Sequence, residues 1–217
     1  MRDHGIVFVS EMAAALIAGK KTETRRVVAQ QPEPLPSGEF VWRSGRAPSM
    51  RFKPAELRSF MLAGSPYKVG DGVWLRERCA YLDVEKSALS QFPLGPQNGN
   101  ALGPDVWNVT VEYSDGSVRE TSVEQEKPKQ TRERGEIKWR SARFMHRWAS
   151  RASFRIIEIR VERLHEITHD AAMREGCPEN LANVSVAWYC GLWNSIHAST
   201  GQTWERNPWV YVLGLAR

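Results

Sequence analysis

The segment SFRIIEIRVERL, residues 153–164, places the strongest constraint on the fold. Its apolar side chains at Phe154, Ile156, Ile159 and Val161 alternate with charged ones. A period of two is the pattern of a β-strand with one buried face. The segment therefore predicts a strand that packs on a core, and the rest of the chain has to supply that strand with neighbours.

The other predicted elements are short. Helical spacing and capping residues predict small helices after Ser10 and after Thr168, and an amphipathic helix over residues 184–196. Further strands are predicted at residues 5–9, after the Gly-Asp turn at residues 70–71, and over residues 208–216. Short strands mixed with small helices predict an α+β domain built on a compact, barrel-like sheet.

Two stretches interrupt this pattern. Residues 30–66 are rich in proline, glycine and serine, and we expect little regular structure there beyond a short helix in PAELRSFML. Residues 83–137 are predicted to form a loop followed by a hairpin, because a Ser-Asp-Gly turn joins the alternating segments of VWNVTVEYSDGSVRETSV. The 217 residues are therefore predicted to be one domain with these two insertions.

Composition argues against several classes of protein. No run of about 18 apolar residues is present, so no membrane span is expected, and the N-terminus lacks the order of a signal peptide. The three cysteines show no CxxC spacing, and the histidines lack the spacing of metal ligands. We therefore expect a cytoplasmic protein with reduced thiols, no metal and no cofactor, and its oligomeric state is left open.

Basic residues concentrate in one part of the chain. The formal net charge is +5, but residues 127–155 alone hold ten lysines and arginines against two glutamates. Guanidinium groups pair with phosphates and aromatic rings stack on bases, so the arginines and aromatic residues of 138–151 favour a nucleic-acid surface. Its strongest candidates are Arg147, Trp148 and Arg151. For the basic residues before this segment, a solvated linker is an equally good interpretation.

A charged stretch follows the first predicted helix. Residues 18–27 read AGKKTETRRV and contain the pattern G-x-K-x-x-T-x-R. The four specified positions of this pattern are Gly19, Lys21, Thr24 and Arg26. One interpretation is a solvated turn between a helix and a strand. The other is that the fold directs these polar groups at a ligand.

Three elements in order carry a resemblance to a known family. The G-x-K-x-x-T-x-R stretch is followed by VGDGVWLRE, and later by L-x-x-I-T-x-x-x-A-x-x-E-G, which ends at Glu175 and Gly176. Together they resemble the ASCH domain family of the PUA-like superfamily. The segments WRSARFMHRWASR and LWNSI with NPWVYVL further resemble ASCH proteins encoded by bacteriophages and prophages. The resemblance covers about residues 5–28, 67–80 and 138–215 and leaves out the two insertions.

This resemblance implies a PUA-like β-barrel-type sheet with flanking short helices and a cleft associated with RNA or nucleotides. One bacterial branch of the family is a small amidohydrolase that removes the acetyl group from N4-acetylcytidine. Its catalytic lysine, its threonine three positions later and its glutamate correspond to Lys21, Thr24 and Glu175. The expected function is therefore amide hydrolysis of an N4-acylated cytidine or a related modified pyrimidine, in a bacterial or phage-infected cell.

The chemistry of these residue types fits that expectation. Amide hydrolysis needs a nucleophile, a base and an acid for the leaving nitrogen. Thr24 would be the nucleophile and Lys21 its base, provided that burial and nearby cations lower the pKa of the lysine. Glu175 would carry the proton or activate water, and Arg26 would hold an oxyanion or the substrate. The cations near the lysine are Lys20, Arg25 and Arg26.

The site makes a geometric demand on the chain. In an ideal strand the side chains of Lys21 and Thr24 would point to opposite faces. A turn or bulge at Lys21 or Thr22 is therefore required. For Glu175, a plain surface glutamate before a helix-terminating glycine is an equally good interpretation.

Other candidate residues lie on the strand after the Gly-Asp turn. These are Trp74, Arg76 and Glu77, which would contact substrate or nucleic acid. Trp74 fits a position in the core equally well.

Two other functions stay open. One is a noncatalytic RNA- or DNA-binding module, in which residues 138–151 form one electropositive groove with Lys20, Lys21, Arg25 and Arg26. The other is a metal-dependent ribonuclease, although no cluster of carboxylates in the sequence favours it.

Overall fold

The computed structural model describes residues 1–43, 49–86, 106–124, 128, 132–133 and 136–217. These residues form an α+β arrangement of several sheets and short helices, and their strands do not close into a barrel. The coarse prediction of an α+β fold is confirmed. The chain divides into two compact units, of which unit 1 comprises Met1–Asp3, Ala15–Gly72 and Phe154–Arg217, and unit 2 comprises His4–Ala14 and Val73–Ser153. The prediction of a single domain stays a prediction.

The elements are short, as the sequence pattern predicts. In chain order the strands are β1 (Asp3–Val7), β2 (Glu23–Val27), β3 (Glu33–Pro34), β4 (Phe40–Trp42), β5 (Met50–Phe52), β6 (Gly72–Arg76), β7 (Cys79–Lys86), β8 (Val106–Tyr113), β9 (Val118–Glu124), β10 (Arg132–Glu133), β11 (Glu136–Ile137), β12 (Ser153–Arg163) and β13 (Trp209–Ala216). The helices are α1 (Ser10–Ile17), α2 (Pro54–Ala63), α3 (His169–Arg174) and α4 (Ser185–His197). No helix in the described part of the chain is both long and apolar enough to span a membrane.

Three antiparallel strands form the centre of unit 1. Strand β13 lies between β12 and β2, and all but its last residue are buried. The register of β12 against β13 shifts between Ile156 and Glu158. This irregularity explains why the apolar positions of the segment change from even to odd numbers between Ile156 and Ile159. The strand predicted from that segment is confirmed.

Helix α3 of unit 1 begins and ends where its capping residues predict. The Thr168 hydroxyl accepts a hydrogen bond from the Ala171 amide at 3.2 Å, and Gly176 follows α3 with a φ of +97°. Helix α4 matches the amphipathic helix predicted over residues 184–196. It packs with α3 and β13 in an apolar cluster that includes Leu164, Ala172, Tyr189, Trp193 and Val212.

The first insertion contains more regular structure than predicted. Strands β3, β4 and β5 form a small antiparallel sheet, and α2 follows it. The Phe52 ring stacks on Phe60 with 4.7 Å between centroids, and Trp42 meets the same ring edge-on at 5.4 Å. The prediction of little structure beyond one helix is wrong, because strands of two or three residues are too short to show an alternating pattern.

Three further strands, β7, β8 and β9, form an antiparallel sheet that makes up much of unit 2. In the same unit, β1 lies beside β6. The predicted hairpin is confirmed, since β8 and β9 are joined by a turn in which Gly116 has a φ of +82°. The apolar cluster of this unit includes Tyr81, Val111, Tyr113 and Met145. The loop predicted before the hairpin falls mostly on residues 87–105, which lie outside the described residues.

Candidate functional site

The predicted site begins in the turn between α1 and β2. Gly19 follows the helix with a φ of +72°, and the Ala15 carbonyl accepts hydrogen bonds from the amides of Lys20 at 2.9 Å and Lys21 at 3.1 Å. Strand β2 starts only at Glu23. The alternation of a strand therefore does not fix the direction of the Lys21 side chain, and a turn lies where the site requires one.

The Lys21 ammonium group pairs with Glu175, which lies 154 positions later in the chain. Its Nζ forms an ion pair with Glu175 Oε2 and donates to the Glu175 carbonyl oxygen at 2.8 Å. Only 3% of each side chain is exposed, so the interpretation of Glu175 as a surface residue is wrong. The turn after α3 packs closely against the lysine. A Cβ added to Gly176 would lie only 3.3 Å from the Lys21 Cβ.

Arg25 and Tyr189 also contact the Glu175 carboxylate. Arg25 Nη1 donates to Oε1 at 3.0 Å, and the Tyr189 hydroxyl donates to the same oxygen at 3.4 Å. The Arg25 guanidinium lies 5.8 Å from the centroid of the Tyr189 ring. Sequence reasoning missed Tyr189, because helical periodicity marks it only as one residue on the apolar face of α4.

These contacts belong to a larger set of ion pairs, here named the ion network. Glu23 accepts hydrogen bonds from Arg160 and Arg174, each at 2.9 Å. Arg25 lies 3.3 Å from Glu162 of β12. The four cations and four anions of the ion network are Lys21, Arg25, Arg160 and Arg174, and Glu23, Glu158, Glu162 and Glu175.

The register of the sheet explains how the ion network forms. In the ladder, Gly214 of β13 separates Glu158 of β12 from Glu23 of β2. A Cβ on Gly214 would lie 3.1 Å from the Glu158 Cβ, so the glycine leaves room for charged side chains to cross the middle strand. Sequence reasoning did not predict this network. The signal was present in β12, whose residues 158, 160 and 162 are all charged.

Burial dominates the acid–base behaviour of Lys21. It lowers the pKa of the ammonium group, Glu175 works against this shift, and the charges of Arg26 and Arg25 add to it. The net pKa lies below the ordinary value of a lysine. A lysine that loses its proton more readily than usual is suited to act as a base.

Thr24 lies apart from the ion network. It is buried, it is paired in the ladder with Leu213, and it alternates with Arg25, so its side chain lies on the other face of β2. In the described structure no hydrogen bond joins the Thr24 hydroxyl to Lys21 or Glu175. The structure thus brings together two of the three predicted catalytic residues.

The remaining cations of the charged stretch have different surroundings. Lys20 is exposed, whereas Arg26 is half-buried and shares a face of β2 with Thr24. Burial lowers the pKa of Arg26. Burial also raises the pKa of the Tyr67 hydroxyl, and the charge of Arg26 opposes that shift.

A cleft of about 870 Å³ opens beside the turn in unit 1. Neither Thr24 nor Glu175 is among the residues that line it. The side chains that do so mix apolar and charged types and include Leu16, Phe154, Ile157, Lys21, Glu23, Arg160 and Arg174. The cleft is therefore lined by part of the ion network, but the buried Glu175 carboxylate does not line it.

A second cleft, of about 390 Å³, lies within unit 2. It is lined by four of the predicted nucleic-acid contacts, namely Trp74, Arg147, Trp148 and Arg151. Arg119 lines it too, and sequence reasoning missed this residue because it lies on β9, outside the basic and aromatic segment.

The other predicted binding residues of unit 2 contact protein groups. Glu77 is fully buried and accepts hydrogen bonds from Arg151 at 2.9 and 2.7 Å. Arg151 also donates to Asp115 at 2.6 Å. The Arg76 guanidinium lies 5.0 Å from the centroid of the Trp74 ring. The buried Glu77 carboxylate therefore fixes the position of the Arg151 side chain through two hydrogen bonds.

The described residues contain free cysteines and no cluster of metal ligands. No group of three histidine, cysteine, aspartate or glutamate side chains in that part of the chain could hold a metal ion. Cys79, Cys177 and Cys190 are free, and burial raises the pKa of the Cys79 thiol to about 11.

Comparisons of the chain with protein-family models, with curated proteins and with solved structures found no match.

Proposed function

We propose that this chain is an ASCH-type hydrolase with a PUA-like fold that cleaves the amide of an N4-acylated cytidine or a related modified pyrimidine nucleoside. The observation that carries the proposal is the buried ion pair of Lys21 and Glu175. Burying two charges costs about as much free energy as their attraction supplies, so such a pair is weak evidence for a role in stability. Buried groups with a shifted pKa, such as Lys21, concentrate at functional sites. Lys21 and Glu175 both belong to the motifs of the ASCH resemblance.

The reaction proceeds in two steps. The Thr24 hydroxyl oxygen attacks the acyl carbonyl carbon while neutral Lys21 accepts the hydroxyl proton. The bond between that carbon and N4 breaks, N4 receives a proton through Glu175, and the acyl group stays on Thr24 as an ester. Water then attacks the ester, releases the carboxylic acid and restores the hydroxyl. The net change is one amide and one water converted to one amine and one carboxylic acid.

Lys21 and Glu175 act in this scheme as a proton-transfer pair. Their hydrogen bond gives a direct route from the ammonium group to the carboxylate. Burial favours the neutral lysine that the first step needs. Arg25, at 3.0 Å from Glu175 Oε1, stabilises the carboxylate when the lysine is neutral, and Arg26 holds the oxyanion.

One substitution tests the nucleophile independently of the Lys21–Glu175 pair. Thr24 faces away from Arg25, so Lys21 has to reach the hydroxyl around the start of β2. Lys21 lies before the first residue of β2, so the alternation of that strand does not fix the direction of the lysine side chain. Thr24→Ala therefore distinguishes attack by the hydroxyl from attack by a water that Lys21 and Glu175 activate.

The test is turnover of N4-acetylcytidine, followed by chromatography of the cytidine released. We expect Thr24→Ala, Lys21→Met and Glu175→Gln each to lower kcat by about 100-fold or more, the scale of positioned acid–base groups. Thr24→Ser keeps a hydroxyl and should keep measurable turnover. Lys20→Met, a matched change at the exposed neighbouring lysine, should match the wild type.

Two results would count against the proposal in different ways. A wild-type chain that releases no product from acetylated, propionylated or benzoylated cytidine would contradict the hydrolase function. Full turnover by Thr24→Ala, with Lys21→Met and Glu175→Gln inactive, would assign the attack to water. Unfolding midpoints of all variants show whether a loss of turnover reflects a loss of fold.

A noncatalytic nucleic-acid module is the second candidate. A groove that includes Lys21 and Arg25 is poorly supported, because both side chains are buried and paired with carboxylates. Phosphate contact is better supported in unit 2, where Arg147 is exposed at the edge of a cleft. The ribonuclease alternative has no support from metal-ligand clusters in the described ranges.

A further inference from the structure

The cleft within unit 2 combines aromatic and cationic side chains. Its volume of about 390 Å³ falls within the range of small-ligand sites. Two indoles and three guanidinium groups line it, and no carboxylate is among its lining groups. Its remaining lining residues are small, namely Ser150, Ala152 and Ser153. Such a lining suits a ligand that has one flat ring and one negative charge.

Both tryptophan rings of this cleft are held by neighbours. Trp148 stacks on the His146 ring with 10° between the planes, and it packs against Tyr81 with 4.7 Å between centroids. Trp74 lies against the backbone of Gly5, where a Cβ would come within 2.5 Å of the ring. Both rings are half-buried, so part of each stays accessible. A ring that is already fixed loses little conformational entropy when a base stacks on it.

The three arginines of the cleft differ in their surroundings. Arg151 is bound by Glu77 and Asp115, which neutralise its charge within the unit. Arg119 donates to a backbone carbonyl oxygen, and this neutral acceptor leaves its positive charge in place. Arg147 is exposed. Arg119 and Arg147 both line the cleft, and the exposed Arg147 can be reached from solvent, so these two side chains are placed to contact an anion.

We infer that this cleft binds a nucleotide, with its phosphate on Arg119 and Arg147 and its base against the indoles of Trp74 and Trp148. A free nucleotide and one residue of a single-stranded nucleic acid present the same chemistry. The inference goes beyond the hydrolysis proposed for unit 1, because none of its residues belongs to the ion network. Binding is measured without an acylated substrate, so either proposal can fail alone.

The first experiment measures binding of a fluorescein-labelled single-stranded uridine dodecamer by anisotropy. Arg147→Gln should raise the Kd about five- to tenfold at roughly 100 mM salt, and should reduce the slope of log Kd against log salt by about one. Arg78→Gln removes the same charge from an exposed residue of unit 2 that neither lines the cleft nor belongs to the predicted surface of residues 138–151. That control should change the Kd by less than about twofold. Unfolding midpoints should be unchanged, because both side chains are exposed.

Competition then separates the phosphate from the base. Unlabelled UMP should displace the dodecamer at a concentration about tenfold or more below that of inorganic phosphate, because phosphate offers no ring to stack. Trp74→Leu should weaken competition by UMP and leave competition by phosphate unchanged. A dodecamer that binds more tightly than UMP identifies single-stranded nucleic acid as the ligand, and equal affinities identify the free nucleotide.

Three results would overturn the inference. The first is a wild-type chain that binds neither dodecamer nor UMP. The second is an equal effect of Arg147→Gln and Arg78→Gln, which would show attraction by overall charge alone. The third is equal potency of UMP and phosphate, which would show an anion site without base recognition.

Discussion

Glu175 is the residue on which two buried cations converge, and its replacement tests that arrangement. Glu175→Gln leaves Lys21 without a carboxylate, while Arg25 keeps Glu162. We expect this change to lower the free energy of unfolding by about 3–5 kcal/mol, the range for breaking a buried ion pair from one side. Urea unfolding at pH 7 measures the loss.

The matched change removes the other partner. Lys21→Met deletes the charge but keeps a long apolar side chain, and Glu175 retains Arg25. We expect a smaller loss, about 1–2 kcal/mol. Equal losses in Lys21→Met and Glu175→Gln would mean that the carboxylate does not serve both cations.

Single residues show where prediction from sequence reaches its limit. Thr168 and Gly176 were predictable as caps, because their roles depend on neighbours within a few positions. The motif identified Lys21 and Glu175, but their burial was not predictable from a charged run, which is usually solvated. The contact with Tyr189 depends on how α3 and α4 pack, and no local pattern reports that.

The same difference holds for whole elements. Strand β12, the hairpin of β8 and β9, and helix α4 were predictable, because each is long enough to show its period. Strands β3 to β5 were missed, because two or three residues cannot show one. The glycine turn after α3 is a further element whose sequence signal was clear, and its packing against Lys21 leads to a prediction.

Gly176→Ala should affect both stability and turnover. The φ of +97° strains any side chain, which costs about 1–2 kcal/mol, and the new Cβ would press on the Lys21 side chain at 3.3 Å. We expect turnover of N4-acetylcytidine to fall about tenfold, because a shifted base is poorly aligned. Kinetic assays and urea unfolding measure the two effects.

Gly38→Ala is the matched control for the glycine turn. Gly38 has a φ of +82°, yet nothing lies within 4 Å of the Cβ it would gain. It should show the loss of stability without the loss of turnover. A normal kcat in Gly176→Ala would mean that the turn does not position the lysine.

For the molecule as a whole, Asp115 is a carboxylate whose ionisation links stability to acidic pH. Burial works against ionisation of Asp115, but hydrogen bonds from Ser117 and Arg151 lower its pKa to about 2, from an ordinary 3.8. Since the folded pKa is the lower one, the stabilisation is complete above pH 3.8 and is lost as the pH falls towards 2.

Asp115→Asn tests this pH dependence. It should lower the free energy of unfolding by about 1 kcal/mol at pH 7, a value reduced for partial exposure of the carboxylate. The difference from the wild type should shrink to nearly zero at about pH 2. Urea titrations across this pH range measure it, with exposed Glu120→Gln as the control. A difference that stays constant with pH would contradict the assignment.

The ion network also dictates an order of events during synthesis. A ribosome releases Lys21 and Arg25 early, and Glu175 emerges only 154 and 150 positions later. Strand β2 can pair only later still, because its partner strand β13 is made after Glu175. Until Glu175 and β13 have both been made, Lys21 and Arg25 lack the carboxylate on which they converge, and β2 lacks the neighbour that completes the centre of unit 1.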